Sequence, residues 1–169
     1  RDTAMGKEYS VQEALKLAIK AEKDSMDFYA RAASVAKNER AKKVLEMLAA
    51  EEAGHVKHFF DYYKGTEFGD LQSYLASPVD TKNPTYMKLE KAISEDMGEK
   101  KALELALQEE KECIGQYTQL ASDVVDPMVK SIFARVVKET EGHYALIEAE
   151  YAHLMGMVND SDIDTFVRE

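Results

Sequence analysis

Glu22, Glu52, His55, Glu110 and His143 are the residues whose types and spacing promise chemistry. Glu52 and His55 lie three apart, so on a helix they share a face and can reach one ion together. The surrounding pattern occurs twice. Displacing the chain by 88 positions without a gap sets Ala14, Leu15, Leu17, Ala18, Glu22, Lys23 and Tyr29 on Ala102, Leu103, Leu105, Ala106, Glu110, Lys111 and Tyr117. Further on, Ala33, Ser34, Lys42, Glu51, Gly54, His55 and Tyr63 fall on Ala121, Ser122, Lys130, Glu139, Gly142, His143 and Tyr151. Apolar matches alone would follow from two amphipathic helices. A lone Glu followed far downstream by Gly-His, matched in both copies, does not follow from periodicity. Two helical hairpins that each offer a Glu and an acid–His pair make a dinuclear metal site when packed face to face.

The elements that must position these groups are helices. Low Gly and Pro content and long stretches of 3.6-residue periodicity predict an all-α domain spanning 1–169. Ser10 and Glu13 read as a capping box opening a helix to about Lys37. Asn38 reads as the next N-cap, with a second helix to about Lys64 before Gly65. Asp96 with Glu99 reads as another capping box, opening a third helix that ends near Val125. Asp126 caps the fourth, with Pro127 in its first turn. The helical hairpins therefore cover 10–64 and 96–156. The crossover, 65–95, is expected to be irregular with short helices at Asp70–Ala76 and Asn83–Ser94, and the tail, 157–169, is polar. Two tight hairpins joined by one long crossover is the connectivity of a ferritin-like four-helix bundle.

Composition narrows the partners. A formal net charge of -10 over 169 residues disfavours nucleic acid and anionic membrane surfaces. The single cysteine, Cys113, leaves no internal disulfide and no Cys-x-x-Cys site. No apolar run reaches the roughly 18 residues a bilayer span needs. The expectation is a soluble, cytoplasmic protein. Gly54 and Gly142 each cost about 1 kcal/mol relative to Ala inside a helix, and their repetition suggests a close helix approach.

The segments "AIKAEKDSMDFY", "LAAEEAGHVKHF", "ALQEEKECIGQY" and "VVKETEGHYALI" resemble the rubrerythrin-like, or erythrin, branch of the ferritin-like superfamily, almost over the whole chain. The resemblance implies two iron ions inside the bundle, held by a Glu from the first helix of each hairpin and a Glu-x-x-His from the second. It implies reaction with peroxide or dioxygen, or oxidation of ferrous iron, and a homodimer. Glu22, Glu52, His55, Glu110 and His143 match the ligand pattern. Tyr29 and Tyr117, two turns beyond the matched Glu residues, could hydrogen-bond a ligating carboxylate without binding metal.

Three positions depart from the family. Thr140 stands where the second Glu-x-x-His carboxylate belongs, which leaves two divalent ions with one positive charge uncompensated. Glu139, four residues before His143 and within about 40° of it on the helix, is the expected substitute. Cys113 replaces an additional carboxylate one turn after Glu110, which puts the family's redox-dependent ligand switch in doubt. The rubredoxin-like Cys-x-x-Cys pairs are lacking, so electrons are expected from a separate, rubredoxin-type donor. The alternative is a non-catalytic protein that keeps zinc or a single iron on Glu22, Glu52, His55 and His143. A purely structural bundle with degraded ligands is a third reading. His58 is expected to be structural.

Overall fold

The computed structural model describes the backbone of residues 9–168 and the side chains of residues 9–156. Among the described residues there are six helices: α1 (Val11–Val35), α2 (Glu39–Phe60), α3 (Leu71–Leu75), α4 (Pro84–Ser94), α5 (Gly98–Asp123) and α6 (Pro127–Arg168). They form the expected all-α bundle, α1 pairing with α2 and α5 with α6, while α3 and α4 lie in the crossover. The polar tail expected after Gly156 continues the backbone of α6 as far as Arg168.

Local chemistry explains most of the boundaries. Ser10 Oγ accepts from the Glu13 amide at 3.0 Å, while Glu13 Oε1 accepts from the Ser10 amide at 2.9 Å, so the first capping box is formed. Asn38 Oδ1 accepts from the Ala41 amide at 2.9 Å, and Asp126 Oδ1 from the Met128 amide at 2.8 Å, just beyond Pro127. Asp70 and Asn83 cap the two crossover helices in the same way. Helix α2 stops at Phe60, earlier than the expected Lys64. Gln12 of α1 takes over its end, donating to the Tyr62 carbonyl and accepting from the Lys64 amide at 2.7 Å.

The second capping box does not form. Met97 is the N-cap of α5, without a side-chain bond, and Asp96 and Gly98 adopt φ of 56° and 72°. Glu99 reaches across to the hairpin turn instead, accepting from the Asn38 amide at 2.9 Å and the Lys37 amide at 3.2 Å. These two donors belong to the start of α2, so an acid on α5 completes a cap for another helix.

The core falls into two apolar clusters. One contains Phe28, Tyr29, Leu45, Leu48, Leu103 and Ile147; the other contains Leu15, Ile19, Val56, Phe59, Val129, Phe133 and Val136. Between them, at one level of the bundle, α1 contributes Glu22, α2 Glu52, α5 Glu110 and α6 His143, all buried. Lys23 and Asp27 form a buried ion pair within α1, and Lys23 Nζ ties the crossover to that helix by donating to the Ser77 carbonyl at 3.2 Å. Lys23 lies 5.7 Å from the Tyr74 ring.

Candidate metal centre

Burying three carboxylates at one level requires compensation, because each charged form loses its hydration. The arrangement supplies histidines. Glu52 stands between them, with Oε1 2.9 Å from Nδ1 of His55 and Oε2 3.7 Å from Nδ1 of His143. Glu22 Oε1 approaches His55 Nδ1 at 3.4 Å, and Glu110 Oε2 approaches His143 Nδ1 at 3.5 Å. The outer nitrogens face carboxylates of the opposite hairpin. Nε2 of His55 is 3.6 Å from Glu139 Oε2, and Nε2 of His143 is 2.9 Å from Glu51 Oε1.

The electrostatics follow from this crowding. Burial, then the neighbouring Glu22, pushes the Glu52 carboxyl well above the ordinary range. Burial also raises Glu110, partly offset by His143. Burial alone would lower His55 and His143, but the surrounding carboxylates, led by Glu22 for His55 and by Glu110 and Glu51 for His143, raise both. Burial and like charge thus bias the carboxylates toward the neutral form, while the acids around them bias the histidines toward the charged form.

All five residues singled out from the repeat converge. Ligand atoms of Glu52, His55 and His143 lie within 4.8 Å of one another, as do those of Glu22, His55 and Glu139. Glu139 is in the cluster, but it faces His55 from across the bundle rather than completing the surroundings of His143. Arg135 Nε holds the same Glu139 oxygen at 3.1 Å. Glu51 was missed by reasoning from ligand spacing. Its signal was in the repeat, where Glu51 and Glu139 are matched positions. His58 lies apart, its ring against Phe59 and Tyr62.

The family model described as rubrerythrin matches residues 13–151. The chain belongs to the rubrerythrin family. No curated protein and no solved structure matches it. As a rubrerythrin-family chain it carries the carboxylate and histidine groups of a diiron-type metal-binding protein.

The donor set fits such ions. Imidazole nitrogen with carboxylate oxygen suits iron and also zinc. Glu110 Oε2 is buried without a hydrogen-bond partner, the condition a cation would relieve. The family's missing carboxylate is not compensated at its own position. Thr140 is buried and donates its hydroxyl to the Val136 carbonyl at 2.7 Å, with Cys113 Sγ 3.8 Å away. Burial and the Glu110 charge push the Cys113 thiol up to about 12. The tyrosines also differ. Tyr29 sits against Glu110, and burial together with that carboxylate raises its phenol well above the ordinary value. Tyr117 instead reaches the Leu17 carbonyl at 3.5 Å. Gly54 and Gly142 mark no close approach, since a Cβ at either would meet nothing within 4 Å. Among the described residues, no helix is long and apolar enough to cross a membrane.

Proposed function

We propose that the chain is a diiron oxidoreductase that reacts with peroxide or dioxygen, or oxidises ferrous iron. The observation that carries this reading is the position of Glu52, whose two carboxylate oxygens face the metal-binding nitrogens of two histidines on different hairpins. Glu22, Glu52 and His55 would hold one ion, and Glu110, Glu52 and His143 the other. When bound, iron would supply the electrons that reduce peroxide or dioxygen. The protein's part is to bind, shield and move protons. Glu52 and Glu110, which burial biases toward the protonated form, would release protons as ions bind and remain poised to accept them. Tyr29 would keep its proton and steady Glu110. Substrates would be small, since the site lies inside the bundle between two apolar clusters. The electron donor would be a separate, rubredoxin-type protein, and the working form a homodimer in the cytoplasm.

One observation favours a second reading. Thr140 offers a neutral hydroxyl already committed to the Val136 carbonyl, where a hard ion wants a carboxylate. A single ion, iron or zinc, held without turnover on the Glu22, Glu52 and His55 side would satisfy that asymmetry. The discriminating experiment is anaerobic loading with ferrous iron followed by mixing with hydrogen peroxide or air. Ferric absorption that develops faster than for the same iron in buffer, and is lost in Glu52→Ala, is the expected result. Stoichiometric iron with no accelerated oxidation would establish the binding-only reading.

A further inference from the structure

Each histidine of the cluster has two faces, and the outer nitrogen of each meets an acid of the opposite hairpin. Nδ1 of His143 faces Glu110 and Glu52, whereas Nε2 lies 2.9 Å from Glu51 Oε1. A neutral imidazole carries one N–H, so a nitrogen that binds metal must be bare while the other donates. We infer that Glu51 is a positioning residue for His143: it accepts the Nε2–H from across the hairpin boundary and so presents the Nδ1 lone pair to the metal.

Three observations carry the assignment. The Glu51–His143 distance is that of a hydrogen bond, shorter than either contact of Nδ1 with the inner carboxylates. The Glu51 side chain is 47% exposed while Glu52 beside it is 3% exposed, so the two neighbouring acids occupy different roles, one at the rim and one inside. The repeat also reproduces the relation on the other side, where Glu139 faces Nε2 of His55, more loosely at 3.6 Å. A carboxylate behind a metal-binding imidazole fixes the tautomer and raises the basicity of the ligating nitrogen. The two sides are not equivalent. Arg135 pairs with Glu139, whereas the repeat sets the uncharged Met47 at the place that matches Arg135. The stronger imidazole donor therefore lies on the side where Thr140 has removed a carboxylate.

The inference rests on the metal-binding reading above, and its test separates the two. Zinc is the probe, with histidine nitrogen NMR on metal-free and zinc-loaded protein at a pH where the rings are neutral. In native protein the His143 Nε2 proton should be observable and slow to exchange, and zinc should shift Nδ1. Glu51→Ala should lose that proton signal and weaken zinc binding about 10- to 100-fold without removing a site. Glu51→Gln, whose amide oxygen still accepts, should keep the proton and lose less affinity. Glu141→Ala, another exposed acid of the same region, should change neither. Loss of a whole zinc equivalent in Glu51→Ala would make Glu51 a ligand and overturn the inference. An unchanged proton signal in that variant would overturn it as well. If native protein binds no zinc, the metal reading falls, and loss of the Nε2 proton in metal-free Glu51→Ala still upholds the pairing.

Discussion

His55 and His143 stack ring on ring, with centroids 5.6 Å apart and planes 14° apart, although they come from different hairpins. Two imidazoles in contact would repel each other when charged, yet the acids around them raise both pKa values. The stack therefore records how much negative charge converges on this level of the bundle.

A pH dependence follows. The histidines have folded pKa values above the ordinary 6.5, so their contribution is complete below that value and disappears as pH rises through the folded pKa. Glu52 and Glu110, raised from 4.5, act in the same direction: they favour folding at acid pH and oppose it once ionised. Metal-free protein should therefore lose thermal stability between about pH 5 and pH 8, and added metal should restore more stability at pH 8 than at pH 5. Calorimetry across that range checks it; a metal-free Tm that rises toward pH 8 would contradict the electrostatic account.

The helix glycines give a prediction with the opposite sign to most substitutions. Both Gly54 and Gly142 are exposed, and neither has a neighbour that a methyl group would strike. Gly54→Ala and Gly142→Ala should each stabilise the fold by about 0.5–1 kcal/mol, read by denaturant unfolding. Destabilisation in either would mean that the helices approach more closely there than the structure has them.

Glu99 should matter for stability despite its distance from the metal level. It serves two backbone donors at the turn between α1 and α2. Glu99→Ala should cost about 1 kcal/mol, whereas Asp96→Ala should cost much less because Asp96 caps nothing. Equal losses in urea titrations would restore the capping box that the sequence suggested.

Cys113 should be chemically quiet. With its thiol raised from 9.0 to about 12, its thiolate population is roughly a thousandfold below that of a free cysteine, and alkylation of the native chain at pH 8 should be correspondingly slow. Rapid modification of folded, metal-free protein would show that the thiol is neither so buried nor so close to Glu110.

What the sequence revealed and what it hid have one physical cause. A gapless repeat of Glu, Gly-His and turn residues fixes which helix faces meet, so the bundle and the convergence of Glu22, Glu52, His55, Glu110 and His143 were legible. Caps made by local side chains, at Ser10, Asn38 and Asp126, were legible too, as were the short crossover helices that Asp70 and Asn83 open. Interactions between hairpins were not. Angular position on its own helix put Glu139 beside His143, but packing delivers it to His55, and the same geometry delivers Glu51 to His143. Glu99 was likewise diverted from its local cap by donors 61 and 62 residues away.

The asymmetry at Thr140 should be visible as unequal affinity. Thr140→Glu adds the mirror of Glu52, and pairing it with Cys113→Ala makes room for the longer side chain next to the 3.8 Å contact. That double variant should tighten the weaker ion and leave the tighter one unchanged. Calorimetric titration with ferrous iron under argon reads both steps. Tightening of the stronger step instead would reverse the assignment of the two halves.

The most direct measurement is anaerobic ferrous titration with bound ions counted per chain, native beside Glu52→Ala, Glu22→Gln and Glu110→Gln. The account expects two ions of unequal affinity in the native chain, both lost in Glu52→Ala, and one weakened selectively in each of the other variants. Glu52→Ala that binds iron as the native chain does would contradict the claim that Glu52 joins two metal positions across the hairpins.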